Sequence, residues 1–309
     1  RSPFHDRLIA AGACMTEAAG FERPGFFAPA GMKPEIEYSY GRQNWFDACA
    51  NECTNTAENV TLFDHSCFVK FAVDGPDACT VLNHVCANDV DVPLGKIVYT
   101  QWLNGNGGIE ADVTVTRLTE TSYLVVTIST SQRRDFAWLR RHVPADAKVF
   151  IRDMSSGLPM LALMGPKSRA LLQAASPADF SNDAFPFGTS KEIDLGYARV
   201  RASRVTFVGE LGWEIYMPAE FAAHVFDHLT EAGEPFGLRH GGFFALNSLR
   251  MEKGYRHWGH DIGEEDTPIQ AGLSFAVAYD KPGGFIGRDA LLKQKELGVP
   301  NRRLVQFAL

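Results

Sequence analysis

A chain of 309 residues, 45% of them apolar, can bury a sizeable core in two or three modules and is not the composition of a disordered protein. The formal charge of −7 argues against nucleic acid as a main partner, because neutralising phosphates needs a basic surface. No apolar run approaches the ~18–20 residues of a membrane-spanning helix, and the opening RSPFHDRLIAAGAC lacks the apolar stretch of a secretion signal.

In chain order, Leu8 to Ala11 reads as a short helix ending at Gly12. The Pro- and Gly-rich GFERPGFFAPAG excludes regular structure throughout, and Phe21, Phe26 and Phe27 are expected to anchor on a domain outside this sequence. Residues 43–58 form an amphipathic helix with Cys49 and Cys53 at i,i+4, at most half a metal site. The six cysteines match no paired C-x-x-C pattern, so no metal is expected, and the thiols read as reduced and mostly buried. Asn59-Val-Thr61 fits a glycosylation sequon without other signs of secretion. A strand at Phe68–Val73 turns at Gly75-Pro76 into a helix from Ala78 to Cys86, with Asp77 as its N-cap. Strands follow at Ile97–Leu103, Ala111–Leu118 and Ser122–Ile128. A helix from Ser131 to His142 turns Trp138 and Leu139 inward.

The strand Met160–Met164, broken by Gly165-Pro166 into a helix from Lys167 to Ala174, repeats the order strand, Gly-Pro, helix. This is a weak internal repeat, consistent with two related α+β halves. Residues 186–206 are a second strand series, and Phe207–Tyr216 is a strand interrupted by glycines. Helices follow at Ala219–Ala232 and Phe243–Lys253, the latter closed by Gly254. Residues 257–275 are mostly loop, and Val305–Leu309 reads as a strand whose partner lies elsewhere.

Two places carry chemistry. The glycine turn from Asn104 leads into a strand that places Glu110 and Asp112 on one face, and the residues alone leave these two acids equivalent. In Trp213-Glu-Ile-Tyr216, alternation puts Glu214 and Tyr216 opposite Trp213 and Ile215; a solvated glutamate beside a strand reads equally well.

Seven short motifs then fall in order across residues 35–290: Leu62-Phe-Asp-x-Ser66, Gly107-Gly-Ile-x-x-Asp112, Ala162-Leu-x-Gly-Pro166, Gly209-Glu-x-Gly-x-Glu214, Ser248-Leu-Arg-x-Glu252, Gly259-x-Asp261 and Thr267-Pro268. With them the chain resembles the folate-binding one-carbon transferase family of the glycine-cleavage T-protein. CANDVDVPLGKIVYTQWLNGNGGIEAD, RSPFHDRL, ERPGFFAP and GGFIGRDAL are similar to the C-terminal folate half of flavin-dependent dimethylglycine and sarcosine dehydrogenases.

That resemblance implies an α+β, T-protein-like folate-binding fold of two interleaved α+β modules with antiparallel sheets. It implies a bridge from an upstream flavin domain at 1–30, the folate-binding domain at 31–300, and at 301–309 the start of a β-barrel domain that is largely missing. The implied activity is capture of an iminium or formaldehyde unit, from oxidative N-demethylation of dimethylglycine or sarcosine, as 5,10-methylenetetrahydrofolate. Tetrahydrofolate is the implied cofactor, with FAD only in an absent upstream domain. The implied partners are a folate, a methylated amine or its iminium, and a covalent or associated flavin domain, with neither nucleic acid nor membrane. The expected compartment is the cytoplasm, or the mitochondrial matrix in a eukaryote.

By position, Asp112 matches the catalytic aspartate and Glu214 the pterin-binding carboxylate. Val126 and Thr127 lie where backbone groups meet the pterin, and Tyr99 and Trp102 are candidates to line it or the entry channel, with ordinary core packing an equal reading. Phe207 stands where several relatives have a tyrosine, keeping a stacking surface without the phenol. Arg250 is a candidate for the folate, or a structural arginine paired with Glu252 or another acid. Asp64 and Ser66 read as local hydrogen-bonding residues. Asn247 replaces a common aspartate, Leu246 an arginine of the T-protein, and Gly284 an acid. Two other readings remain: a free-standing aminomethyltransferase of glycine cleavage, and a non-catalytic folate-binding or scaffold module.

Overall fold

Buried strands with no polar interruption, such as Met160–Met164, belong at the centre of a sheet covered on both faces. The computed structural model describes residues 1–298, 300 and 302–307, and places that strand so. Two units interleave along the sequence: Arg1–Phe68 with Ser155–Tyr255 form one, and Val69–Met154 with the chain from Arg256 onward form the other.

In the first unit, six strands run in the order Ser190–Leu195, Ala198–Ser203, Gly212–Tyr216, Met160–Met164, Val60–Asp64 and Leu238–Gly241. All pairs are antiparallel except the last, which is parallel, so this sheet is mixed where antiparallel sheets were expected. Alternation assigns the faces. Leu161, Leu163, Trp213 and Ile215 pack with Leu171, Leu172, Val225 and Leu229 from the helices Ser168–Ala175 and Ala222–Gly233. Phe63, Ala162 and Met164 face the other way, against Phe207, Val208 and the helix Phe243–Glu252 through Leu246 and Leu249.

The first thirty residues belong to this unit. After the helix His5–Ala10, strands Ala13–Ala18 and Phe21–Phe27 pair as an antiparallel ribbon, so the Pro- and Gly-rich segment is more regular than its composition predicts. A shift of register beside Pro24 explains this: Met15 faces Pro24 and Cys14 faces Phe26, so Gly25 is the extra residue of a bulge. Phe26 and Phe27, expected to seek another domain, stack on Phe244 and His240 at 6.3 and 5.3 Å between ring centres. Glu52 fastens the ribbon: one carboxyl oxygen accepts the Phe27 N–H at 2.7 Å and the other the Gly242 N–H at 2.8 Å. Burial pushes this carboxyl up to about 8. Glu52→Gln replaces one acceptor with a donor and is expected to cost about 1–3 kcal/mol in urea unfolding. No loss of stability would show that the two N–H groups find other partners.

The second unit holds a five-stranded antiparallel sheet in the order Ile97–Leu103, Ile109–Thr119, Ser122–Thr127, Val69–Asp74 and Phe150–Asp153. One face, with Val98, Trp102, Ala111, Val113, Tyr123, Val125 and Phe71, packs with Leu82 and Leu139 from the helices Ala78–Val85 and Gln132–Arg141. By alternation the other face carries Tyr99, Gln101, Asp112, Thr114, Val126 and Lys70. Asp77 occupies the N-cap position, but its carboxylate accepts the Lys148 N–H at 2.8 Å rather than capping the helix. Residues 302–307 form no strand, and Ala308 and Leu309, the end of the expected strand, lie outside the described residues.

The repeat seen in the sequence recurs in geometry, once in each unit. Gly75 and Gly165 have φ of +135° and +132°, and each carbonyl accepts the N–H three residues on, at 3.0 Å. A Cβ on Gly165 would lie 2.4 Å from the Asn59 carbonyl oxygen. Gly165→Ala therefore meets both strain and a backbone clash, and is expected to destabilise by at least about 1–3 kcal/mol in chemical denaturation. A change under ~0.5 kcal/mol would show that the turn relaxes freely.

Candidate functional site

The turn at Asn104 is closed by its own side chain: Oδ1 accepts the N–H groups of Asn106 and Gly108, both at 3.0 Å, while Gly107 takes φ +83°. The two acids that follow share a face but not an environment. Glu110 is ion-paired with Arg134, whose guanidinium lies 4.6 Å over the Trp258 ring, and accepts from Asn104 Nδ2 at 3.2 Å. That carboxylate is committed to structure.

Asp112 lies opposite Gln101 in the ladder and accepts from its Nε2 at 2.9 Å, while the Tyr99 hydroxyl donates to the other oxygen at 3.0 Å. Both donors are neutral. Burial pushes the Asp112 carboxyl up to about 6, with the bonds from Gln101 and Tyr99 opposing it. Burial, reinforced by Asp112, raises the Tyr99 phenol well above its ordinary value. Such a carboxyl takes up and releases a proton near neutrality, as general acid–base work requires. The Tyr99 ring stacks at 6.1 Å on Phe275, which is 76% exposed.

Val126 sits on the same face, opposite Thr114 and Lys70 on its two neighbouring strands. Thr127 falls on the other face, its hydroxyl donating to Asp135 at 2.6 Å. Burial raises that carboxyl to about 6. Only the backbone of Thr127 could then serve a ligand on the Asp112 side. Of the two readings open for Trp102, the core one holds: it is fully buried on the core face, its Nε1 donating to Cys86 Sγ at 3.3 Å. A one-residue offset from Gln101 is enough to turn it there.

In the first unit Glu214 is half-buried, and its Oε2 accepts the Tyr216 hydroxyl at 2.5 Å. Burial, with Glu214 adding to it, raises the Tyr216 phenol well above its ordinary value. Trp213 and Ile215 are fully buried on the opposite face, as alternation predicts. Glu214 pairs with Ala162, so it shares a sheet face with the cluster that includes Phe207 and Leu246. The Phe207 ring lies 6.3 Å from that of Tyr255. Arg250 is buried. Its Nε and Nη2 donate to Asn247 Oδ1 at 2.9 and 2.7 Å, and its Nη1 to the Tyr255 carbonyl at 3.1 Å. These bonds favour the structural reading of Arg250. Asp64 accepts the Ser66 N–H at 2.9 Å and the Ser2 hydroxyl at 2.5 Å, the local role foreseen for it.

Glu214 thus carries a half-buried carboxylate on the sheet face of a cluster that includes the aromatic ring of Phe207. Sequence reasoning missed Gln101 and Lys70; a lone amide and a lone lysine inside the strands IVYTQWL and VKFAVD were the available signals. Among the described residues no three or more His, Cys, Asp or Glu side chains cluster to hold a metal, and no helix is long and apolar enough to cross a membrane. All six cysteines are free thiols.

Two α+β units of this kind make the fold that of an aminomethyltransferase T-protein. The crystal structure of glycine cleavage system aminomethyltransferase T from Bartonella henselae matches with a TM-score of 0.81 at 27% identity, over 97% of this chain and 76% of that one. A family model described as the GCVT N-terminal domain matches residues 4–281, and the chain belongs to that family, which is folate-dependent and aminomethyltransferase-like.

Similar curated proteins include 4-methylaminobutanoate oxidase (formaldehyde-forming) of Paenarthrobacter nicotinovorans, 47% identical over all of this chain and 37% of that protein. The mitochondrial pyruvate dehydrogenase phosphatase regulatory subunit of Mus musculus is 38% identical over all of this chain and 36% of its own length. Mitochondrial sarcosine dehydrogenase of Homo sapiens is 35% identical, again over all of this chain and 38% of its own. The chain thus spans little more than a third of these relatives.

Proposed function

We propose that the chain carries out tetrahydrofolate-dependent one-carbon transfer, capturing an iminium or formaldehyde unit from the oxidative N-demethylation of dimethylglycine, sarcosine or a similar methylated amine as 5,10-methylenetetrahydrofolate. The observation that carries this reading is Asp112, a half-buried carboxyl held between two neutral donors and raised toward neutrality. Tetrahydrofolate supplies two N–H nitrogens that accept a unit at the oxidation level of formaldehyde. Capture from formaldehyde releases one water; capture from an iminium releases the free amine and one proton. Asp112 takes that proton from nitrogen and returns it to solvent or to the leaving amine. Glu214 accepts hydrogen bonds from the pterin edge, and Phe207 offers its ring for stacking. Oxidation of the amine itself is assigned to a flavin domain, joined or associated. The proposed compartment is the cytoplasm, or the mitochondrial matrix in a eukaryote.

Supplying formaldehyde and tetrahydrofolate should give methylenetetrahydrofolate faster than the uncatalysed condensation, and Asp112→Ala should abolish the excess. A rate no higher than the uncatalysed one would favour a scaffold role. That second reading draws on the similarity to a regulatory subunit.

A further inference from the structure

One of the two residues that meet Asp112 directly, Gln101, has no part in the proposed reaction. Gln101 and Asp112 are partners across the antiparallel ladder, which brings the Cβ atoms of such a pair to about 4.5–5.5 Å. Gln101 is fully buried. Its Nε2 is spent on Asp112 Oδ1, and its Oε1, also buried, has no hydrogen-bond partner among the described residues. An unmet buried acceptor is costly, and a leucine of similar size would avoid it.

The cost has a chemical explanation. The ionised carboxylate only accepts, so the amide must turn its N–H toward Oδ1, and the Tyr99 hydroxyl must turn its proton toward Oδ2. Once Asp112 has taken a proton, one of its oxygens donates. A carboxamide turned end for end, or a phenol hydroxyl rotated, then accepts that proton. Lysine or arginine at position 101 could only donate, and would hold the acid in its charged form. The unmet Oε1 is therefore the acceptor that the protonated state needs.

We propose that Gln101 is a positioning residue for the one-carbon transfer: its carboxamide fixes the rotation of the Asp112 carboxyl and serves both of its protonation states. The catalytic part rests on the function proposed above; the effect on Asp112 does not. The titratable and charged groups nearby are Tyr99, Glu110 with its partner Arg134, Arg256, which acts on Tyr99, and Lys70, two strands away on the same face.

The test titrates the Asp112 carboxyl carbon by NMR in ¹³C-aspartate-labelled protein, its signal identified by its loss in Asp112→Asn, for wild type, Gln101→Leu and Gln101→Glu. The pH dependence of methylenetetrahydrofolate formation is measured alongside. Losing a donor to the charged form raises the midpoint, so Gln101→Leu should move it up by about one pH unit. The acid limb of the rate should move with it, with kcat at pH 5 about tenfold lower and KM for tetrahydrofolate within about twofold. Gln101→Glu should move the midpoint further, since a second carboxylate opposes ionisation. It keeps the side-chain shape and carries the test if the leucine variant fails to fold. A midpoint unmoved in both variants overturns the proposal. A moved midpoint in a protein without turnover supports the positioning role and sinks the one-carbon reading; turnover with an unmoved midpoint does the reverse.

Discussion

Asp112→Asn is expected to lower one-carbon capture by about 10²- to 10³-fold while leaving tetrahydrofolate affinity within about threefold. The variant keeps the shape and one acceptor oxygen, so one of the Gln101 and Tyr99 donors keeps its bond while the other must turn, and it removes the charge and the capacity to hold a proton. The wild-type rate should fall below about pH 6, where the carboxyl is protonated, and the variant should lose that limb. Stability should move the opposite way. A carboxyl raised from its ordinary 3.8 to about 6 binds its proton more tightly in the folded state than in the unfolded chain. The stability it contributes is fully present below about pH 4 and is lost as pH rises through about 6. At pH 7.5 the ionised form therefore destabilises the fold, by up to roughly 3 kcal/mol. Asp112→Asn should accordingly unfold at higher urea than wild type at pH 7.5 and at similar urea near pH 4. Equal loss of stability at both pH values would mean that Asp112 is a structural residue and not a destabilised catalytic one.

This contrast shows what the sequence could and could not convey. Alternation placed Glu110 and Asp112 on one face, and Glu214 opposite Trp213, because a strand's period of two is a local property. It could not separate the two acids, since Arg134 comes from a helix twenty-four residues on and Gln101 from the neighbouring strand. Gly-Pro after a strand was legible as a turn in both units, because positive φ selects glycine. Pro24 was misleading for the same reason that it is informative elsewhere: its local restrictions are real, and a bulge in a two-stranded ribbon absorbs them. The structural work of Glu52 was hidden, since it consists of bonds to backbone groups whose place only the fold decides.

Glu214→Ala is expected to weaken tetrahydrofolate binding by about 10- to 100-fold, read by isothermal titration, which corresponds to the ~1.5–3 kcal/mol of a hydrogen bond to a charged group. The fold should tolerate the change. The neighbours Trp213 and Ile215 fill the core from the opposite face, and the substitution gives up the hydrogen bond from the Tyr216 hydroxyl. Tyr216→Phe provides the control, because it removes that hydroxyl and leaves the carboxylate. If Glu214 serves only to satisfy a buried phenol, Tyr216→Phe and Glu214→Ala should both leave affinity unchanged and differ only in stability. If Glu214 binds the pterin edge, Glu214→Ala should lose affinity and Tyr216→Phe should lose less, since the carboxylate remains to accept from the ligand. Glu214→Gln should fall between wild type and alanine: it keeps one acceptor oxygen, gives up the charge, and turns a donor toward a ligand edge that itself donates. Affinity unmoved in Glu214→Ala would overturn the pterin assignment whatever Asp112 does. Affinity lost there and kept in Asp112→Asn would separate binding from proton transfer, with one carboxylate binding and the other moving a proton.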